Sequence, residues 1–132
     1  MHEPRLTAAR VARLATTDRD GRPHLVPIVF ALDGDRLYTA VDQKPKRART
    51  LRRIENARAR PDVTVLVDHY EEDWQRLWWI RLRCYARVLR HGDERDRALA
   101  LLAEKYSQYA AEPPDGPVLA ITIVETRTWT AT

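Results

Sequence analysis

The chain predicts a small antiparallel β-barrel with helical insertions. Three observations carry that expectation. Six segments have strand character, tight turn signals join several of them, and strands do not alternate with helices as a parallel sheet requires. The 132 residues fit a single domain, 1–132, large enough to bury a core without staples.

Residues 5–13, RLTAARVAR, place Leu6, Ala9 and Ala12 or Arg13 at helical spacing and predict a short leading helix. LATTD and HLVPIVFAL then read as two strands around a turn at Asp18-Arg19-Asp20-Gly21, where Gly21 supplies positive φ. Pro27 interrupts the second strand. It cannot donate to a ladder, so it belongs at an edge, at a bulge or beside a ligand. Asp33-Gly34-Asp35 predicts a hairpin into RLYTAV, the third strand.

A basic helix follows. Pro45 suits its first turn, Ala48, Leu51, Ile54 and Ala57 form its apolar stripe, and Arg60-Pro61 ends it. DVTVLVD (62–68) alternates and is β-branched, a fourth strand. HYEEDWQRLWW reads as a loop, with a long alternating strand from Trp79 to Arg90. Asp93 is placed to cap a second helix, ERDRALALLAEKYSQYAA, with Ala98, Leu101, Leu102 and Tyr106 inward. Pro113-Pro114-Asp115-Gly116-Pro117 forces a turn, and VLAITIVETRTWTAT closes the chain as the sixth strand.

Composition excludes several classes. No apolar run approaches the roughly 18 residues of a membrane helix. The first residues lack the continuous apolar core of a signal peptide, and the single cysteine, Cys84, cannot form an internal disulfide. The expectation is a cytoplasmic protein with a buried structural thiol. The net charge of +4 admits an anionic partner. Arginine count alone selects none, because 20 of the 23 cations are arginine, spread over the whole chain.

Position is more informative than count. Residues 44–60 carry eight Lys or Arg side chains and one carboxylate, Glu55. Lys44, Lys46, Arg47 and Arg49 fall in the first turn, where unpaired amides and the helix dipole already favour an anion. Such a run fits a phosphate-bearing ligand, a nucleic acid or a solvated face. Against nucleic acid, the chain has no helix-turn-helix spacing, zinc-finger ligands or RNP-type aromatic string. Asp68, His69, Glu71, Glu72 and Asp73 match no metal-binding spacing such as HExxH. Trp74, Trp78 and Trp79 read as interface or pocket aromatics, with plain core packing as the alternative for Trp79.

Three strings together resemble a known family. LATTDRDGRPHLVPIVFALDGDRLYTAVD, the Lys46-Arg47 pair followed by Leu51, and VDHYEEDWQRLWWIRLRCYARV are similar to the split-barrel flavin-binding family typified by pyridoxamine 5′-phosphate oxidase. The last string resembles the subgroup that uses the deazaflavin coenzyme F420. The likeness spans roughly residues 10–130 and implies a six-stranded antiparallel split β-barrel of the FMN-binding type. It also implies a homodimer with the cofactor between subunits, and an oxidoreductase acting on a small-molecule substrate. By that resemblance the ring lies along Val26, Pro27 and Ile28. The phosphate is held by the Thr39–Arg49 region, in particular Thr39, Ala40, Val41, Lys44, Lys46, Arg47 and Arg49. His24, Tyr70, Trp74 and Trp78 are candidates for the substrate pocket.

Two departures matter. Many relatives carry glycine near Cys84-Tyr85. This chain also closes at Trp129-Thr130-Ala131-Thr132, without the arginine- and histidine-bearing segment with which pyridoxamine phosphate oxidases grip substrate. That particular activity is not expected. FMN or haem in the same fold is the alternative to F420, and a nucleic-acid-binding protein is the reading from another class. No catalytic dyad is expected, since a bound deazaflavin supplies the hydride and the protein supplies orientation. Quinones, unsaturated ketones, tetrapyrroles and aromatic xenobiotics all stay open as substrates.

Overall fold

The computed structural model describes residues 4–41 and 52–132. A short helix α1 (Pro4–Ala8) leads into strands β1 (Ala12–Thr17), β2 (Pro23–Ile28), β3 (Ala31–Asp33) and β4 (Arg36–Ala40). Helix α2 (Arg52–Ala59) precedes β5 (Asp62–His69) and β6 (Trp78–Leu89), then come α3 (Asp93–Lys105), α4 (Ser107–Ala111) and β7 (Val118–Thr130). The strands form one antiparallel sheet in the order β2-β1-β5-β6-β7-β4-β3.

The sheet's two outer strands, β2 and β3, are consecutive in sequence and separated only by Val29 and Phe30. Two linking residues span at most about 11 Å, so the edges must curl toward each other. Closure into a barrel follows from this connection, with a seam at Val29–Phe30. The sequence reading of one strand over His24–Leu32 becomes two here, which raises the count from six to seven. The physical cause is a change of partner: Pro23–Ile28 pairs with β1, and Ala31–Asp33 pairs with β4.

Alternation decides what faces inward. β5 buries Val63, Val65 and Val67, and β6 buries Ile80, Leu82, Cys84 and Ala86. These meet Leu14, Phe30, Leu37 and Ile121 in the barrel interior. Each fully buried aliphatic side chain contributes roughly 1.5–3 kcal/mol. A second apolar layer lies outside the barrel wall. There Ala98 and Leu102 of α3 cover Ala31, Tyr38, Ala40, Val118 and Ala120.

Turn chemistry follows expectation at Gly21 and Gly34, whose φ values are +86° and +61°. In the first turn the Asp18 carboxylate accepts from the amides of Asp20 and Arg22, each at 2.9 Å. Three local expectations are corrected. The leading helix ends at Ala8, because Ala12 and Arg13 are already paired with Ile28 and Pro27. Asp93 is the first helical residue of α3, and the cap position belongs to Gly92, with no side-chain cap bond. The long second helix breaks at Tyr106, which has extended backbone, giving α3 and α4. The expected loop also contains a 3₁₀ turn, Trp74–Arg76, with the Asp73 carboxylate accepting from Gln75 N.

At Cys84 no glycine is present, yet the pairing is irregular. Arg83 faces Glu125 while Cys84 faces Ile123, leaving Val124 as the extra residue of a bulge in β7. Cys84 itself is buried, and burial pushes its thiol up to about 12, which makes it an inert core group.

Candidate functional site

Two polar regions emerge, at opposite ends of the sheet. The first joins β1, β2 and α2. Asn56 is buried on α2 and donates through Nδ2 to the buried Thr16 Oγ1 at 3.0 Å, fixing the helix on β1. Thr16 pairs with His24 across the β1–β2 ladder. His24 Nδ1 is buried and has no hydrogen-bond partner among the described residues. The same holds for Arg53 Nε, one turn before Asn56 on α2. Burial depresses the Arg53 guanidinium below its ordinary value, with Tyr109 opposing the shift in part. Arg52, its neighbour, has a partner: Asp18 Oδ2 at 4.0 Å.

The residues expected to contact a ring system lie on β2. This strand pairs only with β1, so its other edge carries no ladder partner among the described residues. Pro27 is exposed there, while Val26 and Ile28 face the interior cluster. Thr39, Ala40 and Val41 are all buried, but they do not share a face. Val41 packs in the barrel interior and Ala40 packs beneath α3. Only the backbone of Ala40 is therefore available to a ligand on the interior side. The Val41 amide is already committed to Pro117 O at 2.9 Å. Lys44, Lys46, Arg47 and Arg49 lie outside the described residues.

The second region is the β5–β6 loop. His69 Nε2 lies 2.6 Å from Glu71 Oε2, and Arg76 Nε lies 3.3 Å from Glu71 Oε1. The His69 hydrogen bond, with the Arg76 charge behind it, holds Glu71 below the usual carboxylate range. With Glu71 ionised, His69 Nε2–H donates to its carboxylate. The His69 ring stacks on Trp78 at 5.9 Å between centroids, and the Arg5 guanidinium sits 4.7 Å over the same indole. These groups line an open groove of about 400 Å³ with Gln75, Leu77, Thr130 and Thr132. A stacking face beside a fixed ion triad can orient a planar ligand that carries polar substituents.

The four expected pocket residues are not brought together. Trp78 lines the groove. Tyr70 and Trp74 stand exposed beside it, Tyr70 donating to Glu72 at 2.9 Å and Trp74 Nε1 donating to the Tyr70 hydroxyl at 3.4 Å. His24 is remote. It pairs with Thr16, and the neighbouring Ala15 faces Thr64, six residues before Tyr70. At about 3.3 Å per residue that is about 20 Å along the sheet. Trp79, for which plain core packing was the alternative, is half-buried and stacks on Trp129 at 6.4 Å, with Arg81 over its ring at 5.1 Å.

Sequence reasoning missed Asn56, Thr16 and the His69–Glu71–Arg76 triad as site residues. The i, i+2 spacing of His69 and Glu71 across a strand end was a usable signal. The Asn56–Thr16 bond crosses 40 residues and left none.

The sequence from residue 2 to 130 matches the family model described as pyridoxamine 5′-phosphate oxidase. No curated protein matches the chain. Among solved structures, a conserved hypothetical protein of Mycobacterium tuberculosis superposes with a TM-score of 0.78 at 18% identity, over 96% of this chain and 80% of that one. An FAD-binding protein of Mesorhizobium loti gives 0.68 at 25% identity, over 93% and 87%. The haem storage protein HutZ of Vibrio cholerae gives 0.72 at 14% identity, over 92% and 85%. At the lower identities the likeness establishes the split-barrel fold alone.

Proposed function

The chain belongs to the pyridoxamine 5′-phosphate oxidase family, and from that premise we propose an oxidoreductase that binds the deazaflavin coenzyme F420 and passes a hydride to a small organic substrate. The observation that carries this reading is that two of the three buried side-chain nitrogens without a hydrogen-bond partner among the described residues are His24 Nδ1 and Arg53 Nε, the third being Arg95 Nε on α3. Arg53 lies on α2, which the Asn56–Thr16 bond ties to β1, and His24 lies on β2, opposite Thr16 in the β1–β2 ladder. A buried donor or acceptor without a partner is costly, and a ligand supplying oxygens and ring nitrogens to that end of the barrel removes the cost.

Within this proposal each residue has a task. The free edge of β2 offers its backbone to a planar ring, with Pro27 marking a position that has no donor. Lys44, Lys46, Arg47 and Arg49 hold the phosphodiester, and Arg53 extends that grip toward the acidic tail. F420, when bound, supplies the hydride. The aromatic groove at Trp78 holds the substrate or the far part of the ligand, and His69 offers a proton-bearing ring there.

A homodimer belongs to the same proposal. The outer face of the sheet exposes Leu25, Tyr85, Val124 and Trp129 among Arg81, Arg83 and Arg127. Cross-strand pairing aligns part of it: Leu25 faces Ala15, Ala15 faces Thr64, Thr64 faces Arg83 and Arg83 faces Glu125. Aromatic side chains and arginine are the residues enriched at protein interfaces.

A second reading replaces F420 with a flavin, and the 25% identical FAD-binding protein supports it. Haem is supported by structural likeness only. Side-by-side titration with oxidised F420 and FMN separates the readings. Saturable quenching of F420 fluorescence, weakened about tenfold or more in Lys46→Ala and Arg47→Ala, is the expected outcome. Binding of FMN alone, or F420 affinity unchanged in both variants, overturns it.

A further inference from the structure

Between α1 and α3 lies a cavity of about 280 Å³ that the reading above leaves unused. Its wall includes Thr7, Arg10, Leu32, Leu101, Glu104 and Lys105. Lys105 Nζ sits 4.0 Å over the Phe30 ring and 5.4 Å from that of Tyr106. The Arg10 guanidinium sits 4.6 Å over the Tyr106 ring and donates to Lys105 O at 3.0 Å. Two cations thus stand over adjoining aromatic faces at one cavity wall. Among the described residues neither has a carboxylate within ion-pair distance, and Glu104 pairs with neither of them.

The ring faces compensate part of this charge, since each carries a negative quadrupole. They do not compensate all of it. Burial, and then the neighbouring Arg10 charge, lower the Lys105 amine from 10.5 to about 8. Arg10, Lys105 and Thr7 line one hollow, and a guanidinium, an ammonium and a hydroxyl together are a donor set that an oxyanion satisfies. The volume lies at the small end of ligand pockets, near 300 Å³.

The geometry points to a second ligand site, in which Arg10 and Lys105 clamp the carboxylate or phosphate group of a small organic anion. It uses none of Lys44, Lys46, Arg47 and Arg49 and is independent of which redox cofactor the barrel holds. It abuts the barrel seam, because the ring beneath Lys105 belongs to Phe30.

Only three lysines occur in the chain, so lysine-labelled protein gives a simple side-chain NMR spectrum. Lys105 is assigned as the signal lost in Lys105→Gln. Inorganic phosphate and succinate are the probes, titrated separately. The expected result is a saturable shift of the Lys105 signal by one or both, with its titration midpoint raised. The response of Lys105 should vanish in Arg10→Gln, whatever Lys44 and Lys46 do. Saturation by one probe only identifies the oxyanion. A linear, non-saturating drift of Lys105 with both probes is salt screening and overturns the site, as does an unchanged response in Arg10→Gln. Should Arg10→Gln fail to fold, calorimetry of Lys105→Gln decides instead. At least about tenfold weaker binding supports the clamp, and unchanged affinity rejects it.

Discussion

The Tyr106 hydroxyl closes the barrel seam. It accepts from Phe30 N at 3.1 Å and lies 3.0 Å from Phe30 O and 2.9 Å from Arg10 O, bringing together backbone groups of two distant segments. Tyr106→Phe keeps the ring and removes those partners. It should cost about 2–3 kcal/mol, read as a lowered midpoint in thermal or urea unfolding. The sequence suggested a packing residue there, and the ring does pack. Its hydrogen bonds span 76 and 96 residues, so no local pattern announces them. Glu94 is a comparable case. It receives Tyr38 Oη at 2.8 Å and both contacts of Arg87 Nη2, at 2.9 and 3.0 Å. The Arg87 bond, with Tyr38 adding to it, holds the Glu94 carboxyl below its ordinary 4.5. A depressed folded-state pKa gives stability that is full above the unfolded value and is lost as pH falls through the folded one. The wild-type protein should therefore lose stability more steeply below about pH 4.5 than Glu94→Gln does. Near neutral pH that variant should be about 1 kcal/mol less stable. Parallel acid-to-neutral stability profiles for the two proteins would remove Glu94 as the cause.

At the scale of elements, most strands were legible because alternation against one buried face leaves a period of two. The hairpin at Gly34 and the turn at Gly21 were legible because they require positive φ. The start of α3 was misplaced by one residue. Asp93 looks like a cap, but Gly92 occupies that position with φ 106° and ψ 177°, backbone that only glycine adopts readily. Gly92→Ala meets no steric neighbour, so its cost is conformational alone and should be about 1–3 kcal/mol. A cost near zero in chemical denaturation would mean that the backbone relaxes freely there. The division of His24–Leu32 into β2 and β3 was not legible. Both halves have strand propensity, and only the identity of their partners separates them.

For the whole molecule, the connection through Val29 and Phe30 decides closure, and the outer face is where the proposed dimer is tested. If that face is the dimer surface, Trp129→Glu together with Val124→Lys should convert a dimer to a folded monomer in sedimentation analysis. A wild-type chain already monomeric at high concentration would refute the dimer. The sequence by itself determined the fold class, the family likeness and the presence of a basic run after a strand, because periodicity, turn chemistry and charge are local properties. Only the tertiary structure decided which residues share a place. It put Ala40 beneath a helix and away from the interior. It separated His24 from Trp78 and joined His24, Thr16 and Asn56 at one end of the barrel. Such juxtapositions depend on strand register and closure, which no window of sequence contains.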